Sequence, residues 1–452
     1  MHDPSTLPAQ IKQSWRRFLR RGTYVAIIRL AGLACVFALQ VLLARLIGDT
    51  GEYGKYAWGQ SLLFLLGAIA SLGLPLASAR FVASLDAQQN VAASRRVITH
   101  ASHLLLRTAS LGPIVGLLLW LAWRGDLDEG VYRAVAIVAL LLTPAVTFTM
   151  FYRDISRARQ WLGLAMLPLQ VIRPLTTAAL AAVFWWLSGF RLDGVQALLM
   201  AGISVLAILL GQALIYQLRQ RKLPHTNGLD TQPEYRPSRL LVTAVPIFIM
   251  RCSALVINYS NVLLVGALAG PAAAGAYFAA ERLAQLAGMP KAVVSTVNQQ
   301  SMAAAHATGN TQELQLLATQ SAHGSLWPTL LVSLFLMFLA APLLHLFGRE
   351  FTAASPVLII LVLSNIVSVF AGPAQDLLIM TGRQNYIPRV MVFTAIGHVA
   401  ALVLLLPAFG AIGAACASLF SSLLGQLWLM LLAQRETGVG TTVLSSLRRQ
   451  RK

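Results

Sequence analysis

The chain has 452 residues, of which 57% are hydrophobic and only 11% are charged, and its mean hydropathy is +0.68. Soluble domains carry about 25% charged residues, so this composition excludes a soluble globular protein and indicates a membrane protein with several spans. The formal net charge of +19 is explained by basic loops that meet anionic lipid headgroups, and we expect no nucleic acid partner.

Apolar windows of about 20 residues match the ~30 Å hydrocarbon core of a bilayer, and irregular backbone cannot face lipid, so such windows predict helices. Twelve of them follow in chain order at 24–47, 57–79, 103–123, 134–152, 162–188, 195–217, 242–266, 273–294, 325–347, 355–378, 388–407 and 411–433. The chain has no P-loop, zinc-ligand spacing or nucleophile elbow. We therefore expect no metal, no cofactor and no enzymatic activity.

The basic residues of the loops predict the orientation of the spans. With the N-terminus in the cytoplasm, the inner segments carry 24 Lys and Arg residues and the outer segments carry 5. Because cytoplasmic loops are enriched in Lys and Arg, this distribution predicts that both termini are cytoplasmic. We expect the protein to be a multi-pass membrane protein.

The chain is predicted to consist of two six-helix lobes. A cytoplasmic segment at 1–23 precedes the first lobe at 24–217, a polar linker rich in proline occupies 218–241, and a cytoplasmic tail at 434–452 follows the second lobe at 242–433. The lobes share a short internal repeat, in which VLL at 41–43 and GKY at 54–56 match VLL at 262–264 and GAY at 275–277, both offset by 221 residues. Two six-helix halves in the same orientation are a known transporter plan.

Several arginines lie inside the apolar windows, where a charge is costly. Arg173, Arg251 and Arg282 lie deep, and Arg29 and Arg107 lie a turn or two inside their windows. An arginine at the centre of a span costs ~2.5–3.5 kcal/mol on insertion scales. We therefore expect these five residues to line a polar cavity and to bind the phosphate groups of an anionic cargo, because guanidinium matches phosphate oxygens in pairs.

Four of these five arginines also have a structural interpretation. Arg251 could pair with Glu281 on the following helix, and Arg173 could bond the carbonyls that Pro174 leaves without a donor. Arg29 and Arg107 could extend to lipid phosphates at the interface. The residues alone leave both interpretations open.

Other polar residues in the windows suggest further contacts. Glu281 is a candidate proton-coupling carboxylate or a structural partner of an arginine, and Asp376 is a candidate gate or loop contact. Asn258, Tyr259 and Asn261 could hydrogen-bond sugars, or they could join neighbouring helices.

Motifs along most of the chain resemble those of polysaccharide-biosynthesis flippases. The first half contains ARLIG at 44–48, EYG at 52–54, GL at 73–74 and ARFV at 79–82. The second half contains LLVG at 263–266, GP at 270–271, GAY at 275–277, RL at 282–283 and, further on, Gly348, Phe351, AA at 353–354 and PVL at 356–358. The sequence is similar to the O-antigen (Wzx-type) exporters of the multidrug/oligosaccharidyl-lipid/polysaccharide superfamily.

This resemblance implies an all-α, MATE-like integral membrane fold, in which two six-helix lobes surround a central cavity and work by alternating access. It implies a location in a bacterial inner membrane and a polyprenyl-pyrophosphate-linked oligosaccharide as cargo, which is moved from the cytoplasmic to the periplasmic leaflet. It also implies membrane lipids, a polysaccharide polymerase and other glycan-assembly proteins as partners. The family often has an acidic residue in the middle of its seventh helix, where this chain has Asn258 and Asn261. A cation-coupling role at that place is therefore not expected.

Two alternatives to the flippase remain. A cation-coupled multidrug or toxin exporter of the same superfamily would need buried carboxylates, and Glu281 is the one that lies comparably deep. A scaffold of a glycan-assembly complex that transports nothing would need no polar cavity. The excess of deep arginines over deep carboxylates favours the flippase.

Overall fold

The computed structural model describes residues 9–122, 132–221 and 237–442. The central part of the predicted linker, the first residues of the N-terminal segment and most of the C-terminal tail lie outside these ranges. The described chain is helical throughout and contains no strand. The helices are α1 Ala9–Ile47, α2 Thr50–Ala70, α3 Leu74–Ala87, α4 Val91–Ala109, α5 Leu111–Ala122, α6 Arg133–Ala158, α7 Leu162–Leu167, α8 Arg173–Leu187, α9 Gly194–Arg221, α10 Pro237–Ala269, α11 Pro271–Ala287, α12 Met289–Ala307, α13 Thr311–Phe338, α14 Ala340–His345, α15 Ser355–Phe370, α16 Ala374–Met380 and α17 Ile387–Thr437.

The described helices confirm an all-α membrane architecture. Nine helical stretches are long and apolar enough to cross a membrane, and α2 with α3, bent by 50°, adds a tenth. Helix α17 has 51 residues, which at 1.5 Å per residue would span about 76 Å if straight. It breaks at Gly410, whose φ is 56°, so it is long enough for two crossings. The count of twelve spans stays a prediction.

Several helices begin earlier than the apolar windows predict. Helix α4 begins at residue 91 instead of 103, and α13 begins at 311 instead of 325. The side chains of Asn90 and Asn310 accept hydrogen bonds from the backbone N–H groups of Ala93 and Glu313, both at 3.0 Å. These N-caps stabilise polar first turns, whereas an apolar window detects only the part of a helix that lies in hydrocarbon.

One hydrophobic core joins the first half of the chain (α1–α9) to the second half (α10–α17). It contains fully buried aromatic residues from both halves, including Tyr53, Tyr56, Tyr277 and Phe278. We call the end of the bundle that carries residues 45–58, 263–275 and 345–350 the sealed end. Here α2 and α11 cross so closely that a Cβ atom on Gly54 would lie 1.8 Å from the carbonyl oxygen of Pro271. Gly54 and Gly275 are equivalent positions of the internal repeat, and they face each other at this crossing.

The opposite end of the bundle, which we call the split end, has two separate cores. One lies among α3, α4, α6, α7, α9 and the first turns of α10. The other lies among α12, α13, α16 and α17. Because the two cores at the split end are separate, space remains between the halves of the chain there, and two cavities occupy it.

Candidate cation-lined cavity

Two adjoining cavities lie between the halves, with volumes of about 450 and 400 Å³. The first is lined by α1, α2, the residues just before α8, and the helices α10, α11 and α12. The second is lined by α2, α6, α9 and α10. Both include the side chains of Phe64, Leu169, Arg173 and Tyr259, so these four residues form the boundary between them.

Arginines are the charged residues of both linings. The first cavity is lined by Arg29, Arg173 and Arg282, and the second by Arg153, Arg173 and Arg251. Neither lining includes an aspartate or glutamate among the described residues. A cavity of this kind attracts anions, because guanidinium groups stay charged and the surrounding protein screens them less than water does.

Arg173 occupies the central position, and an irregular turn places it there. The π-helical turn Pro168–Ile172 precedes it, and Pro174 follows it. The guanidinium carbon of Arg173 lies 4.8 Å from the centre of the Phe64 ring. Its Nε atom is buried and has no hydrogen-bond partner in the structure. The alternative in which Arg173 donates to the carbonyls freed by Pro174 is therefore not observed. The guanidinium of Arg173 retains donors that can bind a ligand.

Arg282 and Arg29 lie on either side of the first cavity. Arg282 lies 4.2 Å from the centre of the Phe278 ring, and its Nη1 donates to Gln285 of the same helix at 3.1 Å. Arg29 donates from Nη1 to the hydroxyl of Thr296 at 2.9 Å, which connects α1 to α12 across the cavity. Both side chains therefore face the space between the halves.

Arg251 is paired, but not with the residue that the sequence suggested. Its Nη2 lies 3.0 Å from Oδ2 of Asp154 on α6, and Nε of Arg153 lies 2.9 Å from Oδ1 of the same carboxylate. The carboxylate of Glu281, the expected alternative partner, makes no hydrogen bond or ion pair with a described residue. That alternative was wrong because the tertiary structure places the carboxylate of Asp154, 97 residues away along the chain, against Arg251.

The match to known proteins agrees with this architecture. A family model described as "Polysaccharide biosynthesis protein" matches residues 18–299, more than half of the chain. The chain belongs to this family of polysaccharide biosynthesis proteins. No curated protein sequence matches it.

Solved structures show which fold this polysaccharide biosynthesis protein has. It is similar to an inward-facing multidrug resistance MATE family transporter of the MOP superfamily, with 17% identity, 91% of this chain and 98% of that chain covered, and a TM-score of 0.69. A MOP superfamily transporter from Pyrococcus furiosus, described as having a binding pocket of reverse polarity, has 14% identity, coverage of 92% and 95%, and a TM-score of 0.64. An outward-facing MATE transporter has 15% identity, coverage of 92% and 95%, and a TM-score of 0.58. The fold is therefore MATE-like, and family and fold together support a membrane flippase or exporter.

The structure brings together four of the five predicted cavity arginines. Arg29, Arg173, Arg251 and Arg282 line the two cavities, and whether they bind the cargo stays a prediction. Arg107 is exposed on the outside of α4 and lines neither cavity. The expectation that Arg107 lines the cavity is therefore corrected, and its position fits the alternative of a side chain that extends towards lipid phosphates.

Of the three predicted sugar contacts, only Tyr259 lines the cavities. Asn258 is exposed and donates to the carbonyl of Ala254 in its own helix at 2.7 Å. Asn261 is buried and donates to the hydroxyl of Ser418 at 2.9 Å, so it joins α10 to α17. The expectation that Asn258 and Asn261 contact sugars is therefore corrected. A residue on a membrane span can reach a cavity only if it lies on the side of the helix that faces the cavity.

The two candidate carboxylates also lie outside both linings. Asp376 accepts a hydrogen bond at 2.9 Å from Nε2 of Gln299, which joins α16 to α12. Glu281 is half-buried on α11, beside Arg282 but on another side of the helix. Neither residue belongs to the described lining, and a coupling role for either stays a prediction. Among the described residues no group of three or more His, Cys, Asp and Glu could hold a metal ion.

Sequence reasoning missed the glutamines of the first cavity, which are Gln40, Gln60, Gln170 and Gln285. The Oε1 atoms of Gln60 and Gln170 are buried without a hydrogen-bond partner. A signal for them existed, because a glutamine inside an apolar window is as unusual as an asparagine there. Their amides and the arginines together make a lining that can bind both a phosphate and hydroxyl groups.

Proposed function

We propose that this protein translocates a polyprenyl-pyrophosphate-linked oligosaccharide, such as an O-antigen or exopolysaccharide repeat unit, from the cytoplasmic to the periplasmic leaflet. One observation carries the proposal: two adjoining cavities between the halves are lined by five arginines and by no carboxylate among the described residues. A neutral or cationic drug would gain nothing from such a lining. A pyrophosphate would gain several charge-assisted hydrogen bonds.

The glutamines support a sugar as the second part of the cargo. Gln40, Gln60, Gln170 and Gln285 lie in the first cavity, near Arg173. Amide side chains both donate and accept hydrogen bonds, as sugar hydroxyls do. We assign the phosphates to the arginines and the first sugars to these glutamines, while the polyprenyl chain stays in lipid.

The predicted orientation gives a direction to the transport. If the loops that carry most of the basic residues are cytoplasmic, the split end faces the cytoplasm and the sealed end faces the periplasm. The protein then has both termini in the cytoplasm and is open to the leaflet in which the cargo is assembled. Alternating access requires the sealed end to open and the split end to close, by movement of the two predicted lobes about their linker.

The membrane potential can supply the driving force. A pyrophosphate carries about two negative charges, and moving one charge outward across 100 mV releases ~2.3 kcal/mol. Two charges would release ~4–5 kcal/mol, which corresponds to a concentration ratio above a thousand. Export of an anionic headgroup therefore needs no coupling carboxylate, which agrees with the lack of one in the described lining.

The central arginine provides the test of this proposal. Arg173→Ala removes charged hydrogen bonds to the cargo, each worth about 1.5–3 kcal/mol, so we expect a ten- to hundredfold loss of flipping of a fluorescent polyprenyl-pyrophosphate glycolipid in proteoliposomes. Arg107→Ala is the matched control, because it removes the same side chain from the outer surface. A wild-type flipping rate in Arg173→Ala, or rapid efflux of cationic dyes by the wild-type protein, would contradict the proposal.

A further inference from the structure

One carboxylate lies directly behind the cavity arginines. Asp154, near the end of α6, contacts both Arg153 and Arg251, at 2.9 and 3.0 Å. Its side chain is 1% exposed, whereas that of Arg251 is 26% exposed. A ligand in the second cavity can therefore reach Arg251 on the side that Asp154 does not occupy, while Asp154 itself stays out of reach.

This ion pair also connects the two halves of the chain. Among the ion pairs that join two described residues, the contact between Arg251 and Asp154 links α10 to the first half, and the others lie within one half. Helix α10 packs along α2, α3, α11 and α17 and reaches α6 through this pair. Pro246 lies five residues before Arg251 and interrupts the hydrogen bonding of α10, so the helix can bend there.

The charges at this place are unbalanced without a ligand. Two arginines share the carboxylate of Asp154, and Arg173 lines the same cavity without any carboxylate. An anion that enters the cavity competes with Asp154 for Arg251. An anion with two charges on adjacent phosphates can bind Arg173 and Arg251 together, which a carboxylate held on α6 cannot do.

We propose that Asp154 is the resident counter-ion of Arg251, that a diphosphate headgroup displaces it, and that this displacement releases α10 from α6. The inference rests on the proposed function and deepens it, because it assigns headgroup selectivity and the first conformational step to one residue. Asp154 acts through Arg251 and is a positioning residue. It lowers the affinity for weakly charged anions, since each of them must replace an existing ion pair.

Binding by the purified full chain provides the main test. We expect Asp154→Asn to bind inorganic pyrophosphate at least about fivefold more tightly than the wild type, at constant ionic strength, because the competitor of the ligand is gone. Its preference for pyrophosphate over inorganic phosphate should fall. The Asp154→Asn protein should at the same time flip the glycolipid more slowly than the wild type. Tighter binding together with slower transport is not expected if Asp154 has only a structural role.

Asp86→Asn is the matched control. Asp86 pairs with Arg159 at 3.1 Å within the first half, and neither residue lines either of the two arginine-lined cavities. We expect pyrophosphate binding to be unchanged in this variant. If Asp154→Asn binds pyrophosphate no more tightly than the wild type or the control, the counter-ion role is wrong.

A second measurement needs no change at Asp154, in case its removal prevents folding. Cys252 follows Arg251 on α10 and lines an apolar groove between α10 and α17. In a variant with Cys35→Ser and Cys416→Ser, pyrophosphate should raise the alkylation rate of Cys252 several-fold, and phosphate should not. An unchanged rate at saturating pyrophosphate would overturn the release of α10.

The outcomes separate this inference from the proposed function. If the wild type binds pyrophosphate and Arg173→Ala does not, but Asp154→Asn and Cys252 alkylation show no effect, the inference fails and the proposed function stands. If neither the wild type nor Asp154→Asn binds pyrophosphate, both fail.

Discussion

The sealed end and the split end of the bundle are held together by different kinds of contact. At the sealed end, aromatic rings and backbone are in direct contact. The rings of Trp58 and Tyr132 stack with their centres 4.5 Å apart. Trp58 donates to the carbonyl of Leu263 on α10, and Tyr132 donates to the carbonyl of Gly266 on the same helix. At the split end, separate cores face each other, and polar side chains such as Arg29 and Arg251 cross the space between the halves.

This difference bears on the proposed transport cycle, in which each end opens in turn. Backbone packing and stacked rings exclude water and make a tight closure, whereas a few polar contacts can exchange with water or with a charged ligand. In that proposed cycle, an anion acts at the split end, and the sealed end opens by movement of whole helices.

The closest helix crossing should give the largest effect. In Gly54→Ala, the new Cβ atom would meet the carbonyl oxygen of Pro271 at 1.8 Å, so α2 and α11 must move apart, at a cost of about 3 kcal/mol or more. We expect a large drop in the thermal unfolding midpoint in detergent and loss of transport. Gly211→Ala on α9 is the control, because no atom lies within 4 Å of its Cβ position.

The control should be neutral or should raise stability by up to about 1 kcal/mol, because alanine favours a helix more than glycine does. A Gly54→Ala protein as stable as Gly211→Ala would show that the sealed end is not packed as described.

A smaller effect is expected for Arg45, which closes the edge of the sealed end. Its guanidinium donates to the carbonyls of His345 and Leu346 at 2.6 and 2.7 Å, at the C-terminus of α14. Because the contact is exposed, Arg45→Ala should cost only about 0.5–1.5 kcal/mol. We expect amide hydrogen exchange in residues 339–348 to become several-fold faster.

Arg349→Ala is the matched control for this measurement. Arg349 is exposed at the same end, and its side chain makes no hydrogen bond or ion pair with a described residue. Equal exchange in the two variants would mean that the contacts of Arg45 do not stabilise the sealed end.

The smallest effect is expected where a polar side chain joins helices inside the second half. Asn261→Ala removes the hydrogen bond to Ser418 and should lower stability by about 0.6 kcal/mol, the average for polar contacts between membrane helices. Asn258→Ala removes only a bond within α10 and should leave the thermal midpoint unchanged. A larger loss in Asn258→Ala than in Asn261→Ala would contradict the assignment of their faces.

The internal repeat shows how far a weak sequence signal can extend. Five identical residues at an offset of 221 predicted two related halves, and in the structure Gly54 and Gly275 face each other where α2 crosses α11. The division into two lobes remains a prediction, but this contact supports it. Equivalent residues of two parallel repeats meet only near the axis that relates them.

The sequence by itself determined the class of the protein, the positions of most helices, the depth of the arginines and the charge of the space between the halves. These properties depend on composition and on distance along a helix, which can be counted from residue numbers. The family resemblance added the MATE-like fold, which the comparison with solved structures confirmed.

Only the tertiary structure decided which side of each helix faces the cavities. One residue of displacement rotates a side chain by about 100° around a helix, so depth alone does not place Asn258, Arg107 or Glu281. The π-helical turn before Arg173 changes the side on which that arginine emerges. The pair of Arg251 and Asp154 and the cluster of glutamines join distant parts of the chain, and their contacts exist only because the helices pack together as they do.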